Sequence, residues 1–454
     1  MMIIVPEDVP QAKRIEWLSS NLDKFCVLPW LNLNTNTNGN IKLCCNIQLD
    51  HWVRDQKLGR PYNLGKDDIE TIWNSQYMLN TRIMHRNNFG STECKECYKM
   101  EKVSGHSPRV GQNTLWIQRQ DTDKPLEDYL ANVSHEETVS ISKQLPTSLE
   151  LRLGNQCNLK CITCWGMSSS LIHEERSAYL ANDAITDPRL IWLKSKWKDE
   201  VKAVNETDTK DWYETDIFYS NFKKMAPTLR RLYTTGGEPT VIKANYKMLQ
   251  MLIDAGNTDC RIEFTSNMTN WNSLFYDKLS KFKNVEVQMS VDGVDEVGEY
   301  IRYPSDFSKV RENIDKVAKI SAKNPNWTIK CYTVLQALNY KHLVPIWHLL
   351  NSVGFKYDKS IDWWPITLHM PAFLSLAAVP LEERVNYMPE LAKDVEMFKE
   401  LGNGQFYVGE GTFNACKESI LNMAYQPTLN ANFDAFIEFT NKQRALTNKT
   451  QSGK

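Results

Sequence analysis

The chain has no long hydrophobic run. No stretch of its 454 residues approaches the roughly 18 consecutive apolar residues that cross a bilayer. The opening Met1-Met2-Ile3-Ile4-Val5 is also too short for the apolar core of a signal peptide. The sequence therefore reads as a soluble, cytoplasmic protein with no membrane partner. An excess of one charge sign is missing as well: 54 Lys and Arg stand against 55 Asp and Glu, a net charge of −1. So balanced a chain has no bulk field to hold a polyanion, and nucleic acid is not an expected partner. Repeats and low-complexity tracts are absent, and 11 cysteines are too few for a disulfide scaffold of this length.

What cysteine there is, however, is clustered. Five (Cys26, Cys44, Cys45, Cys94, Cys97) fall in the first 110 residues and three (Cys157, Cys161, Cys164) in one short run. Thiols that merely fill a core would scatter, so the grouping points to metal. Cys260, Cys331 and Cys416 are isolated and read as core packing.

The length allows about three domains, or one large α/β barrel with additions. Residues 1–110 mix their cysteines with Asn-rich, Gly-containing turns such as 32–40, which suits a small domain organised by metal. Residues 111–145 are polar and read as a linker. From there to residue 366, short β-type runs alternate with stretches of helical period. Strands are predicted at 148–153, 229–234, 261–265, 285–289, 327–334 and 360–366, and helices at 246–255, 274–282, 307–320 and 342–353. Six such units imply a parallel sheet, curled or open, with helices outside it. The long stretch at about 168–226 reads as a helical insertion, and 367–454 as a helical extension.

Cys157, Cys161 and Cys164 form a CxxxCxxC run just after the first of these strands. Their spacing also fits one face of a helix, but Gly154, Asn155 and Asn158 favour an irregular loop. Three thiolates on a loop can hold three irons of a [4Fe–4S] cube and leave the fourth open to a reacting ligand. Zinc with a distant fourth ligand is the alternative.

With this run, the sequence resembles the radical S-adenosylmethionine (radical SAM) enzymes, and the resemblance continues at successive strand ends. Thr234-Thr235-Gly236-Gly237-Glu238-Pro239 matches the family's Gly-Gly-Glu motif, whose backbone binds the amino group of the cofactor's methionine part. Ser266 and Asn267 lie where the family places polar groups near the ribose. Met289-Ser290-Val291-Asp292-Gly293, followed by Arg302, resembles the cofactor-binding Ser and Arg of the peptide-modifying branch, in which the guanidinium pairs with the methionine carboxylate. As an isolated residue, Arg302 also fits a surface cation. One departure is Thr163, where relatives often carry an aromatic residue beside the adenine; Trp165 stands just past the third cysteine instead.

The amino-terminal cysteines resemble the family's auxiliary-cluster modules, the SPASM type and its shorter relative twitch. Cys26, then Gly39 five residues before Cys44, then the pair Cys94 and Cys97 supply four ligands for one cluster, a count closer to twitch. Pro29-Trp30 and the helix start at Ile72-Trp73-Asn74-Ser75 share the likeness, Cys45 is a spare, and zinc stays open here too. Relatives usually place this module after the barrel.

The resemblance implies a partial (β/α)6 TIM-like barrel with an amino-terminal cluster domain and a helical extension. It further implies reductive cleavage of S-adenosylmethionine to a 5′-deoxyadenosyl radical that takes hydrogen from a substrate, with a peptide or protein side chain favoured. An electron donor such as a flavodoxin or ferredoxin would serve it. A small-molecule substrate and a non-catalytic iron–sulfur or zinc protein are the other readings. The catalytic residues are not indicated; Asp362 and His369, near the sixth strand, face either substrate or a structural partner.

Overall fold

The computed structural model describes residues 8–10, 13–47, 51–119, 145–207, 212–401 and 411–452. The chain forms two compact units: Met1–Gly154 with Thr209–Thr234 and Ala244–Arg261, and Asn155–Asp208 with Thr235–Lys243 and Ile262–Lys454.

In the first unit the strands are β1 (Asn32–Thr35), β2 (Ile41–Lys42), β3 (Ser148–Arg152) and β4 (Arg231–Thr235), in the spatial order β2-β1-β3-β4. β1 and β2 form an antiparallel hairpin whose turn uses Gly39 at φ +80°, a backbone region that side chains with a Cβ disfavour. A Cβ there would also lie 2.5 Å from the Trp212 ring, whose Nε1 donates to Thr37 O at 2.9 Å. The same hairpin extends the sheet. β1 pairs parallel to β3, with Asn32 opposite Ser148, and Ser148 Oγ donates to Asn32 Oδ1 at 2.7 Å. The amino-terminal cysteine module is thus continuous with the sheet at its first predicted strand.

Ile72 and Trp73 close one short helix, Ile69–Trp73, and Ser75 caps the next, Gln76–Arg86, accepting from Met78 N. The expected helix start at this point is therefore a junction of two helices. Of the predicted linker, residues 111–119 belong to the helix Pro108–Arg119, and 120–144 lie outside the described residues.

In the second unit β5 (Arg261–Ser266), β6 (Val285–Ser290), β7 (Trp327–Leu335) and β8 (Ile361–Thr367) run parallel in chain order. From β3 onward each strand is followed by helix, the α/β alternation of a partial (β/α)6 barrel. The strand faces differ in character. Ile262, Phe264, Val285, Val287, Met289, Ile329 and Cys331 are buried and apolar, as a layer covered by helices requires. On the other face Thr265, Glu286, Gln288 and Lys330 bond to one another: Thr265 Oγ1 donates to Gln288 Oε1, Gln288 Nε2 to Glu286 Oε1, and Lys330 Nζ lies 3.0 Å from Glu286 Oε2.

The predicted insertion is helical, with helices at Ser170–Ala181, Ile191–Asn205 and Asp216–Met225. Leu190, Leu193 and Trp197 from it pack with Ile162, Phe373, Leu374 and Phe436 in one apolar cluster, so the carboxy-terminal extension and the insertion meet at Ile162 of the cysteine loop. The extension itself is helical at Leu381–Leu401, Gly411–Asn422 and Pro427–Ser452.

Candidate functional site

Residues 153–169 after β3 form an irregular loop, and no helix begins before Ser170, capped by Ser169. The helical-face reading of the CxxxCxxC run is thereby excluded. Gly154 sits at φ +64°, and Asn155 Nδ2 donates to Gly166 O at 2.8 Å across the loop. The backbone N–H groups of Lys160 and Ile162 donate to Tyr303 O and Ile301 O, which ties the loop to the segment carrying Arg302. Support also comes from the insertion. Arg176 Nη2 donates to Cys164 O at 2.9 Å, and Arg176 is paired with Glu200, whose Oε1 accepts from Gly166 N at 2.7 Å.

The three thiols are half-buried and share one space. Burial pushes Cys157 up to about 12, opposed by the Leu159 N–H and reinforced by Glu238 and Cys164. Burial likewise raises Cys161, with Arg302 pulling the other way and Cys164 and Cys157 adding. Such thiols do not ionise unaided; a bound cationic metal supplies what burial removes.

Several of the other predicted site residues, Gly237, Glu238, Asn267 and Arg302, meet this loop. Gly237, at φ +51°, lies so close to it that a Cβ would stand 2.0 Å from Gln156 O, and the next residue's N–H donates to that same oxygen at 2.8 Å. Glu238 is buried, and burial raises its pKa. Its carboxylate accepts from Thr240 Oγ1 (2.7 Å), Ser266 Oγ (2.9 Å) and Asn267 N (2.8 Å), so it joins the turn at 236–240 to the end of β5. Asn267 Nδ2 in turn donates to Asn158 Oδ1 of the cysteine loop at 2.9 Å. Ser290 is half-buried at the end of β6.

Arg302 is no surface cation: its side chain is 16% exposed and lies 2.7 Å (Nη2) from Oδ2 of the fully buried Asp292. Its Nη1 reaches to 4.0 Å of Cys161 Sγ, and its Nε is buried without a hydrogen-bond partner. Burial works against its charge, but Asp292 and Cys161 outweigh it and raise its pKa. Asp292 Oδ1 is taken by Val334 N at 2.7 Å. Asp362 and His369 are exposed, while Cys260, Cys331 and Cys416 are buried as expected.

Gln156, Arg176 and Glu200 were not singled out from the sequence, and Asn158 only as a loop former. Asn158 lies inside the cysteine run and carried a signal as a loop former; nothing distinguishes Arg176 and Glu200 from the many other charges of the insertion.

In the first unit a second thiol group forms. Cys26 precedes the short helix Leu28–Leu31, Cys44 follows β2, Cys94 ends a 3₁₀ turn and Cys97 lies on the helix Lys95–Ser104. Burial raises Cys26, and Cys94 and Cys44 add to it; burial raises Cys44 to about 12, where Cys94 and Cys97 also contribute. Cys94, again raised chiefly by burial to about 12, feels Cys97. The four thiols therefore lie together. Cys45 is exposed and hydrogen-bonded to Glu150, and it also feels Cys44. Two side chains reach the group: Asn46 Nδ2 donates to Cys97 Sγ at 3.4 Å, and His85 Nε2, an acceptor because Nδ1 donates to Lys24 O, lies 3.7 Å from Cys94 Sγ. Arg109, held by Glu101 at 2.6 Å, lowers the pKa of Cys26.

Thiolate is the ligand that iron–sulfur clusters take, one per iron, so three thiols on the loop and four in the first unit fit a cube in type and number; zinc accepts the same donors.

Residues 151–349 match the radical SAM superfamily, and residues 26–98 match SPASM, an iron–sulfur cluster-binding domain. The sporulation killing factor maturation protein SkfB of Bacillus subtilis (strain 168) is 25% identical over 185 residues, which are 41% of this chain and 35% of SkfB. The chain thus spans about a third of that curated relative. Among solved structures, Streptococcus suis SuiB bound to S-adenosylmethionine has a TM-score of 0.35 at 11% identity, covering 72% of this chain and 62% of SuiB. SuiB bound to precursor peptide SuiA has 0.33 at 13% identity, covering 69% and 66%. [4Fe–4S] clusters and S-adenosylmethionine are the cofactors these domains imply. Residues 151–349 thus form a radical SAM domain, preceded at residues 26–98 by a SPASM-type iron–sulfur cluster-binding domain.

Proposed function

We propose that this protein is a radical SAM enzyme that reductively cleaves S-adenosylmethionine and abstracts hydrogen from a peptide or protein side chain. The observation that carries the reading is the convergence, on one loop, of three thiols with no fourth cysteine beside them, Gly237 packed against Gln156, and the buried Arg302 beside Cys161. Cys157, Cys161 and Cys164 would hold a [4Fe–4S] cluster with one open iron, which supplies the electron for cleavage of the bound cofactor.

This chain's own residues do the rest. The Gly236-Gly237 backbone offers its groups at close range because no Cβ intervenes. Ser266, Asn267 and Ser290 stand at the ends of β5 and β6, the end of a parallel sheet at which ligands collect. Arg302 brings a fixed cation for a carboxylate, and Asp292 keeps it charged and in place. Glu238 acts as a brace between the turn at 236–240 and the end of β5, its carboxylate being occupied by Thr240, Ser266 and Asn267. The apolar cluster of insertion and extension buries Ile162 between Cys161 and Cys164 and so anchors that part of the loop.

Cys26, Cys44, Cys94 and Cys97 would hold a second, fully ligated cluster that serves the substrate reaction, since four thiolates leave no iron open for cofactor. The substrate class is argued from the SPASM match and from the likeness to SkfB, a protein named for maturation of a killing factor. A small flavodoxin- or ferredoxin-type carrier in the cytoplasm fits both the demand for an electron and eleven unpaired thiols. Among the described residues no helix is long and apolar enough to cross a membrane.

The test is anaerobic reconstitution followed by reduction in the presence of S-adenosylmethionine. The reading expects 5′-deoxyadenosine from the wild type and none from a Cys157→Ala/Cys161→Ala/Cys164→Ala protein. Equal yields from the two proteins would overturn it.

A further inference from the structure

Arg302 has three nitrogens, and two of them already face defined groups. Nη2 meets Asp292 Oδ2 at 2.7 Å, and Nη1 meets Cys161 Sγ at 4.0 Å, leaving Nε as the buried nitrogen with no hydrogen-bond partner. Asp292 is itself immobilised. Its Oδ1 accepts from Val334 N at 2.7 Å, its main-chain oxygen accepts from Asn339 Nδ2 at 2.8 Å, and its side chain is inaccessible. Asn339 is fixed in turn, since it also donates to Val334 O and accepts from Gln336 N. The guanidinium therefore does not choose its own pose. It leaves the helix Asp295–Ile301 at the very residue whose neighbours, Ile301 and Tyr303, accept hydrogen bonds from Ile162 and Lys160 of the cysteine loop.

We propose that Asp292 is a positioning residue that fixes Arg302 against the Cys161 sulfur, so that Arg302 sets the reduction potential of the cluster on the Cys157/Cys161/Cys164 loop as well as facing the cofactor. The inference rests on the reading of that loop as the cofactor-binding cluster site. Its physical basis is that hydrogen bonds and positive charge at a ligand sulfur stabilise the more negative, reduced form of a cluster and so raise its potential. In a half-buried site this effect is weakly screened. Glu238, Asp292 and Glu200 put negative charge around the same three thiols; against it Arg302 acts on both Cys161 and Cys164, and Arg176 on Cys164.

The experiment is a redox titration of the reconstituted full-length protein without S-adenosylmethionine, followed by electron paramagnetic resonance. The signal of the loop cluster is first identified in the wild type as the one that changes when S-adenosylmethionine is added. If no signal responds, the reading of the site fails before the inference is tested. Given a responsive signal and wild-type iron content, Arg302→Met should shift its midpoint to a more negative potential, and Arg302→Lys should fall between the two. Asp292→Asn separates positioning from charge. Loss of a nearby negative charge by itself would make the potential less negative, whereas release of Arg302 from the sulfur makes it more negative. A negative shift in Asp292→Asn is expected. An unchanged midpoint in both Arg302 variants would overturn the role of Arg302, and an unchanged or less negative midpoint in Asp292→Asn would overturn the positioning role of Asp292. Should Arg302→Met fail to take up iron, Arg302→Lys and Asp292→Asn decide the matter by the same criteria.

Discussion

Replacing Gly237 by alanine tests how closely the end of β4 grips the cysteine loop. Gly237 has φ +51°, a left-handed conformation that costs an L-residue with a Cβ about 1–2 kcal/mol. The new methyl carbon would stand 2.0 Å from Gln156 O and 2.7 Å from Gln156 C, both backbone atoms one residue from Cys157. No rotamer relieves such a contact, so the loop must move. Movement breaks the 2.8 Å bond from Glu238 N to Gln156 O, worth about 0.5–1.5 kcal/mol. The variant should therefore lose about 2–3 kcal/mol locally. Gly256→Ala is the matched control, since Gly256 has φ +72° and nothing within 4 Å of a Cβ, so it carries the backbone cost without the collision. Thermal unfolding followed by circular dichroism, together with the iron content and S-adenosylmethionine affinity of both variants, gives the comparison. Gly237→Ala should be less stable than Gly256→Ala and should bind the cofactor more weakly. Equal stability and wild-type cofactor affinity in Gly237→Ala would refute the close packing of this strand end on the loop.

Further predictions concern the first unit. Replacing Cys26, Cys44, Cys94 and Cys97 together by alanine should lower iron from about eight to about four per chain, if both clusters are cubes. That variant should keep 5′-deoxyadenosine formation and lose substrate modification; zinc in place of the missing iron in anaerobic wild type would contradict the assignment. Cys45→Ser should leave the iron content unchanged, because Cys45 is exposed and hydrogen-bonded to Glu150, and a loss of iron would make it a ligand. Glu101→Gln should destabilise the cluster-free protein by about 3 kcal/mol in chemical denaturation, since it strands the buried Arg109 beside Cys26, and a change below about 0.5 kcal/mol would show that the pair is effectively solvated.

The sequence made the second unit more legible than the first for a physical reason. β5 to β8 are runs of five or more residues with β-branched and aromatic side chains, and each predicted boundary lies within a residue or so of the observed one. Where the pattern is short, it carried no signal. β1 is only Asn32-Leu33-Asn34-Thr35, and its pairing with β3 depends on a partner more than a hundred residues away. The helix Asp295–Ile301 contains Gly298, a poor helix former, which is there because a Cβ would lie 2.5 Å from Gly293 O. The cysteine spacing and the Gly-Gly-Glu motif marked the site, since those residues are local in sequence. What fixes their orientation was hidden: Glu238 as a brace, Asp292 behind Arg302, and Arg176 from the insertion all act through contacts with elements distant in the chain. A spacing pattern does not encode such contacts.

The most direct measurement of the central claim is electron paramagnetic resonance of the anaerobically reconstituted, reduced protein before and after addition of S-adenosylmethionine. It is made in the wild type and in the Cys157→Ala/Cys161→Ala/Cys164→Ala variant. An open iron on the Cys157/Cys161/Cys164 loop predicts that the cofactor alters the signal in the wild type and that the variant lacks the responsive component. A wild-type spectrum unaffected by the cofactor, or an identical response in the variant, would contradict it.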